Sequence, residues 1–226
     1  SVTAPAAGLE RAGFWCFDAG TPLTRWAFEA ARLSAASAAE AASLLLAGST
    51  REAYALCRPP GHHAEPDLFG GYCYFNNAAL AAQRLRDAGR VAILDVDYHH
   101  GNGTQAIFWR DGEVLVISVH GEPARFYPYF SGYADEVGDG PGRGTNLNIP
   151  LPAGTDDDAY REVIDERVLP AVRAFRPASL VLSAGFDTFA GDPVGAFELS
   201  TGFFAELAAR FAQLDLPTLI VQEGGY

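Results

Sequence analysis

Five histidines fall in three short stretches: His62 and His63 in RPPGHHA, His99 and His100 in DVDYHHGNGT, and His120 in VHGEP. Asp95 and Asp97 stand at alternate positions just before the second pair. Alternate side chains of an extended segment share a face, so Asp95, Asp97 and His99 should project together. Asp187, in AGFD after another apolar run, would complete a carboxylate, imidazole, carboxylate set with Asp97 and His99. Three oxygen and nitrogen ligands leave a position open for water or substrate, the arrangement of a catalytic zinc site rather than a structural one. Iron(II) suits the same ligands. His62 and His63, after a Pro-Pro-Gly turn, are candidates for the acid and base of such a site, with Asp95 and Asn102 as acceptors for their other ring nitrogens. An aspartate raises the basicity of its imidazole more than an asparagine does, so the two histidines should be unequal. Tyr226 follows Gly224 and Gly225, whose backbone freedom would let a phenol approach a ligand and stabilise an oxyanion. Taken alone, His120 reads as a structural histidine and EGGY as a turn.

These groups must be held by a scaffold, and the chain supplies one. Five apolar runs lack alternation: YALC (54–57), VAILDV (91–96), EVLVISV (113–119), SLVLSA (179–184) and PTLIVQ (217–222). Such runs predict strands buried on both faces. Helices are predicted at 26–47, 76–88, 156–175 and 201–214, with an acidic first turn after Thr155 and a kink at Pro170. Alternating strands and helices give an α/β class with a mostly parallel sheet flanked by helices. Each run is followed by polar residues: RPPGHH, DVDYHHGNG, VHGEP, AGFD and EGGY. Parallel sheets bind ligands at the carboxyl ends of their strands, so five ends are expected to converge on one site. The glycine-rich stretch from Gly138 to Gly144 contains Pro141 and leads into extended NLNIPLP rather than a helix, which argues against a phosphate loop. A mobile loop at the pocket rim is expected there instead.

Composition narrows the partners. The 16 basic and 28 acidic residues give a formal charge of -12 with no basic run, which disfavours nucleic acid and favours cationic small molecules. Cys16, Cys57 and Cys73 share no C-x-x-C spacing, so neither a disulfide framework nor a thiolate zinc site is expected. No signal peptide or membrane span is expected, and a cytoplasmic protein without membrane association is. One catalytic domain over 1–226 is expected. The chain has no methionine, begins SVTAPAAG and stops at QEGGY after an apolar run, the pattern of a piece of a longer protein.

RPPGHHA, DVDYHHGNGT and AGFDTFAGDP, in that order, together with GFWCFDAGTPLT and EGGY, resemble the histone deacetylase superfamily, and within it the bacterial acetylpolyamine amidohydrolases most closely. The resemblance implies an arginase-like α/β fold and a metal-dependent amide hydrolysis releasing acetate from a small acetylated amine. By motif position, it makes Asp97, His99 and Asp187 the zinc ligands and Tyr226 the carbonyl-polarising phenol. It pairs His62 with Asp95 and His63 with Asn102, and leaves His100 as a supporting residue. It also implies structural potassium near Asp95, Asp97, His99, Ser118 and Val119, and a second ion around Phe108, Asp111 and Val114. Gly71, Tyr72 and Tyr127 match substrate-binding positions, the two tyrosines lining a narrow tunnel. Family segments upstream of Gly13 and downstream of EGGY are absent from this stretch, and with them an acidic residue for a distal amine and the contacts of a homodimer. Val194 stands where a polyamine-selective animal relative has glutamate. Acetyl-lysine in peptides is the alternative substrate, and a silent metal-binding module the rival class; such a module should have lost a ligand, a tandem histidine or the tyrosine, and all are present.

Overall fold

The computed structural model describes residues 10–226. In chain order the elements are α1 (Glu10–Trp15), α2 (Ala27–Leu46), β1 (Glu52–Ala55), α3 (Asn77–Leu85), β2 (Val91–Asp95), α4 (Asn102–Phe108), β3 (Val114–Gly121), β4 (Asn146–Leu151), α5 (Asp157–Val163), α6 (Leu169–Phe175), β5 (Ser179–Ala184), α7 (Thr201–Ala212) and β6 (Thr218–Gln222). The six strands form one sheet in the order β1-β6-β5-β2-β3-β4, and every pairing is parallel.

The unbroken apolar runs are explained by helices on both faces. From β2, Val91 and Ile93 enter one core with Ala38, Ala42 and Leu45 of α2 and Ala78, Ala81 and Leu85 of α3. Ala92 and Leu94 enter the opposite core with Tyr160, Val172, Phe203 and Leu207 of α5, α6 and α7. Every residue of β2 is therefore buried, as is every residue of β3. Small residues let α2 lie close to its neighbours: Ala31, Ser34, Ala35, Ala38, Ala41 and Ala42 form its buried face. Two helix starts are capped by side chains. Asn76 accepts from the Ala79 N–H at 2.9 Å and Asp156 from the Ala159 N–H at 3.0 Å, satisfying donors that the first turn leaves free.

The strand order places the site. From β2 the chain proceeds outward to β3 and β4, and then returns to the other side of β2 for β5 and β6, so the order reverses between β2 and β5. A crevice opens at the carboxyl ends where such a reversal occurs. Asp95 pairs in register with Ser183, which sets the DVDYHH and AGFD turns side by side.

Several expectations are corrected. The sheet has six strands rather than five, because NLNIPL pairs with β3 as an edge strand despite its polar residues and Pro150. Strand β1 lies two residues earlier than YALC, leaving Leu56 outside it and exposed. The segment after HHG is a short helix, α4, which polar NGT concealed. The helix predicted over 156–175 is instead three segments, α5, a wider π turn at Ile164–Val168 and α6, with Pro170 in the first turn of α6. The glycine-rich stretch is a tight 3-10 turn at Gly140–Gly142 packed on the end of α4, where the Asp139 N–H donates to the Trp109 carbonyl at 2.9 Å. None of its residues lines the cavity described next.

Candidate active site

Four of the five predicted strand ends meet at one cavity of about 550 Å³. His62 and His63 reach it from the loop after β1, Asp97 and His99 from β2, Asp187 from β5, and Tyr226 from β6. The β3 end does not. His120 lies within β3, fully buried, where its Nε2 donates to the Gly132 carbonyl at 2.9 Å and its ring packs on His100. His100 is likewise buried away from the cavity, with Nδ1 3.3 Å from the Ser118 hydroxyl.

Asp97, His99 and Asp187 present one ligand atom each within 4.8 Å of one another. Asp97 accepts from the Gly224 N–H at 2.7 Å and the His99 N–H at 2.9 Å, and Asp187 accepts from the Tyr98 N–H at 2.8 Å. His99 Nδ1 faces both carboxylates, 2.9 Å from Asp187 and 3.3 Å from Asp97. Glycines make this crowding achievable: a Cβ at Gly185 would collide with the Asp97 carboxylate, and one at Gly224 would meet both carboxylates. Burial and the charge of Asp97 push the Asp187 carboxyl up to about 7. Two buried carboxylates held this close call for a positive charge between them, and a divalent cation fits this donor set.

A second cluster, His62, Cys73 and Glu223, also has ligand atoms within 4.8 Å. It fits a metal less well. Glu223 already accepts from the Gly61 N–H at 2.7 Å, the His62 N–H at 3.1 Å and the Ser183 hydroxyl at 3.3 Å. Burial holds the Cys73 thiol well above its ordinary pKa, and neither Cys73 nor Glu223 lines the cavity. Glu223 was not singled out from the sequence; a carboxylate ending an apolar run is the signal that was available.

The tandem histidines sit beside the carboxylate cluster, their rings 4.1 Å apart. His62 Nδ1 lies 2.9 Å from Asp95, and its Nε2 3.8 Å from Asp97. Burial alone would lower its pKa, yet the charges of Asp95 and Asp97 raise it well above the ordinary histidine value. His63 Nδ1 lies 2.7 Å from the Asn102 amide oxygen. Burial, reinforced by the neighbouring imidazoles His62 and His99, holds His63 well below the ordinary value. The two rings are thus pushed in opposite directions, the inequality expected from an aspartate and an asparagine partner.

Asp18, missed in the sequence, organises the opposite wall. It accepts from the Gly71 N–H at 2.5 Å, the Thr21 N–H at 2.8 Å and the Tyr127 hydroxyl at 3.0 Å. Gly71 has φ +56°, and a Cβ there would strike the His63 ring. Tyr72 and Tyr127 both line the cavity, Tyr127 edge-on to His63 at 4.9 Å and Tyr72 half exposed at the mouth. Tyr226 lines the cavity too, its ring beneath the Arg58 guanidinium at 4.6 Å, and burial pushes its hydroxyl up to about 12. Asp18, Asp97, Asp187 and Asp192 line the cavity and, among the described residues, no basic side chain other than histidine does, so its field favours cations. Val194 also lines the cavity and is largely exposed.

The residues assigned to potassium lie in two places. Ser118 and Val119 of β3 adjoin Asp95 across the β2–β3 pairing, and Phe108, Asp111 and Val114 surround the α4–β3 turn. In that turn the Phe108 carbonyl accepts from the Asp111 N–H at 2.9 Å, and the Asp111 carbonyl accepts from the Thr145 hydroxyl at 3.0 Å. No helix is long and apolar enough to cross a membrane among the described residues.

Comparison with known proteins places this geometry in a family. The histone deacetylase domain matches residues 3–226. The chain is 48% identical to acetylpolyamine amidohydrolase 2 of Pseudomonas aeruginosa over 218 residues, covering 96% of this chain and 63% of that protein. It is 47% identical to the acetylpolyamine amidohydrolase of Mycoplana ramosa over 216 residues, 95% of this chain and 63% of the relative. The crystal structure of acetylpolyamine aminohydrolase from Burkholderia pseudomallei superposes with a TM-score of 0.94 at 45% identity, covering 99% of this chain and 65% of that one. The chain thus spans a little under two thirds of the length of these relatives. With a matching all-parallel sheet and a domain match over nearly its whole length, the chain belongs to the histone deacetylase family.

Proposed function

We propose that the protein containing these residues is a zinc-dependent amidohydrolase that removes acetyl groups from acetylated polyamines or related small aminoalkyl amides. The observation that carries this reading is the meeting of Asp97, His99 and Asp187 with two unequal histidines in one acid-lined cavity. The names of the relatives point to acetylpolyamines, and the anionic walls suit a substrate with a protonated amine.

In this reading Asp97, His99 and Asp187 hold the metal, which when bound would supply Lewis acidity toward the amide carbonyl and lower the pKa of the attacking water. His63, neutral, takes the water proton at Nε2 and returns it to the departing amine. His62, held charged by Asp95, adds positive potential where negative charge develops. The Tyr226 hydroxyl donates to the developing oxyanion. Gly71, Tyr72 and Tyr127 border the alkyl chain. Potassium at the two clusters named above would be structural, a homodimer the assembly, and the cytoplasm the location.

Acetate release by the zinc-loaded, full-length protein tests the substrate class. kcat/KM should be higher for N-acetylputrescine and other acetylpolyamines than for an acetyl-lysine peptide. The reverse order would make the protein a lysine deacetylase acting on peptides.

A further inference from the structure

Beyond the histidine and its asparagine lies a third group with no role so far. Glu65 follows the tandem histidines by two residues and accepts from the Asn102 Nδ2 at 2.8 Å. The same Nδ2 donates to the His63 carbonyl at 3.3 Å, while the Asn102 Oδ1 faces His63 Nδ1 at 2.7 Å. We propose that Glu65 is a positioning residue that sets the tautomer of His63 through Asn102. The proposal rests on the reading of His63 as the base.

Donor and acceptor capacity fixes each group in turn. An ionised carboxylate can only accept, so the amide nitrogen of Asn102 must face Glu65. The amide oxygen then faces His63, and an amide oxygen can only accept. The His63 proton must therefore sit on Nδ1, leaving the Nε2 lone pair free for the substrate side. Without Glu65 the amide can turn over, held only by the longer bond to the His63 carbonyl. Turned over, its NH₂ faces Nδ1, and the neutral ring carries its proton on Nε2, where it cannot act as a base. The scaffold around this relay is rigid. The N–H groups of Gly103 and Thr104, in the first turn of α4, donate to the His62 carbonyl at 3.0 and 3.2 Å. A Cβ at Gly103 would collide with the Ala64 carbonyl, so the helix start rests directly on the histidine turn. The Asn76 Nδ2 donates to the same Ala64 carbonyl at 3.2 Å. Backbone placement is thus secured without Glu65, whose side chain is half-buried and is left with orienting the amide.

The test compares Glu65→Ala and Glu65→Gln with wild type in zinc-loaded, full-length protein, with ¹⁵N NMR of His63 beside kinetics and zinc content. Glu65→Ala should lower kcat roughly 10–100-fold, the range for partners one step behind a reacting group, with KM and zinc content unchanged. His63 should shift toward the Nε2–H form. Glu65→Gln keeps an acceptor and should stay near wild type. His63 with Nε2–H in wild type, an unchanged tautomer in Glu65→Ala, or the same loss of kcat in Glu65→Gln as in Glu65→Ala would each overturn the proposal. If wild-type protein released no acetate, the functional reading would fall, and the tautomer measurement would still decide the role of Glu65.

Discussion

Replacing Gly185 by alanine should damage the metal site without touching any ligand. Gly185 is buried at the end of β5, two residues before Asp187. A Cβ built there lies 2.5 Å from the Asp97 Cγ, 2.6 Å from its Cα, and closer still to Oδ2. Ordinary contacts begin near 3.4 Å, so Asp97 or the strand must yield by about 1 Å. The backbone atom among the three means that a side-chain rotation alone is insufficient. Overpacking of this kind costs about 1–3 kcal/mol. Moving the carboxylate also stretches its 2.7 Å bond from the Gly224 N–H, and a hydrogen bond to a charged group contributes about 1.5–3 kcal/mol. Part of that cost falls on folding and part on metal binding. Zinc affinity, measured by competition with a chromogenic chelator, should fall roughly 10–100-fold, and the unfolding free energy in urea should drop by about 1–3 kcal/mol. Gly202→Ala is the control: its Cβ would meet only the Ser200 hydroxyl at 3.9 Å, at an exposed position in the first turn of α7. Wild-type zinc affinity and stability in Gly185→Ala would refute the packing argument.

Three further outcomes are expected. Tyr226→Phe should lower kcat by roughly 10²–10³-fold while zinc content stays at the wild-type level, because the phenol acts on the transition state; lost metal with normal activity per bound zinc would contradict this. Asp187→Ala should abolish tight zinc binding, measured as metal retained after dialysis, and full occupancy would remove Asp187 from the ligand set. Asp18 has a folded-state pKa lowered below its ordinary value: burial opposes its charge, but the Gly71 and Thr21 N–H groups and the Tyr127 hydroxyl outweigh burial. Its stabilising contribution is therefore full above the unfolded pKa of about 3.9 and is lost as pH falls through the folded value. Asp18→Asn should reduce stability at pH 6 and flatten its decline below about pH 4; parallel stability curves for the two proteins would refute the assignment.

The class and most of the scaffold could be read from the chain because burial on both faces leaves its own mark on a strand. The run VAILD has no polar face to show, and its lack of alternation was itself the signal for a strand covered on both sides. NLNIPL failed as a strand signal because Asn146 and Asn148 point into a buried polar network with Gln105, so its polar residues are paired rather than solvated. The meeting of Asp97, His99, Asp187 and the tandem histidines followed from strand ends in a parallel sheet. His120 shows where that rule stops: β3 continues past its apolar run, and the histidine is spent on the Gly132 carbonyl. Asp18 and Glu65 lie in loops without a pattern, and their roles come only from which N–H groups they meet in the fold.

The proposed function requires metal-dependent deacetylation at the cavity between β2 and β5. The most direct test strips the full-length protein with a chelator, restores zinc in measured steps, and follows acetate release from N-acetylputrescine. Release should vanish on stripping and return in proportion to zinc up to one catalytic ion per chain. Release unchanged by stripping, or none from the zinc-restored protein on any acetylated amine, would contradict the claim.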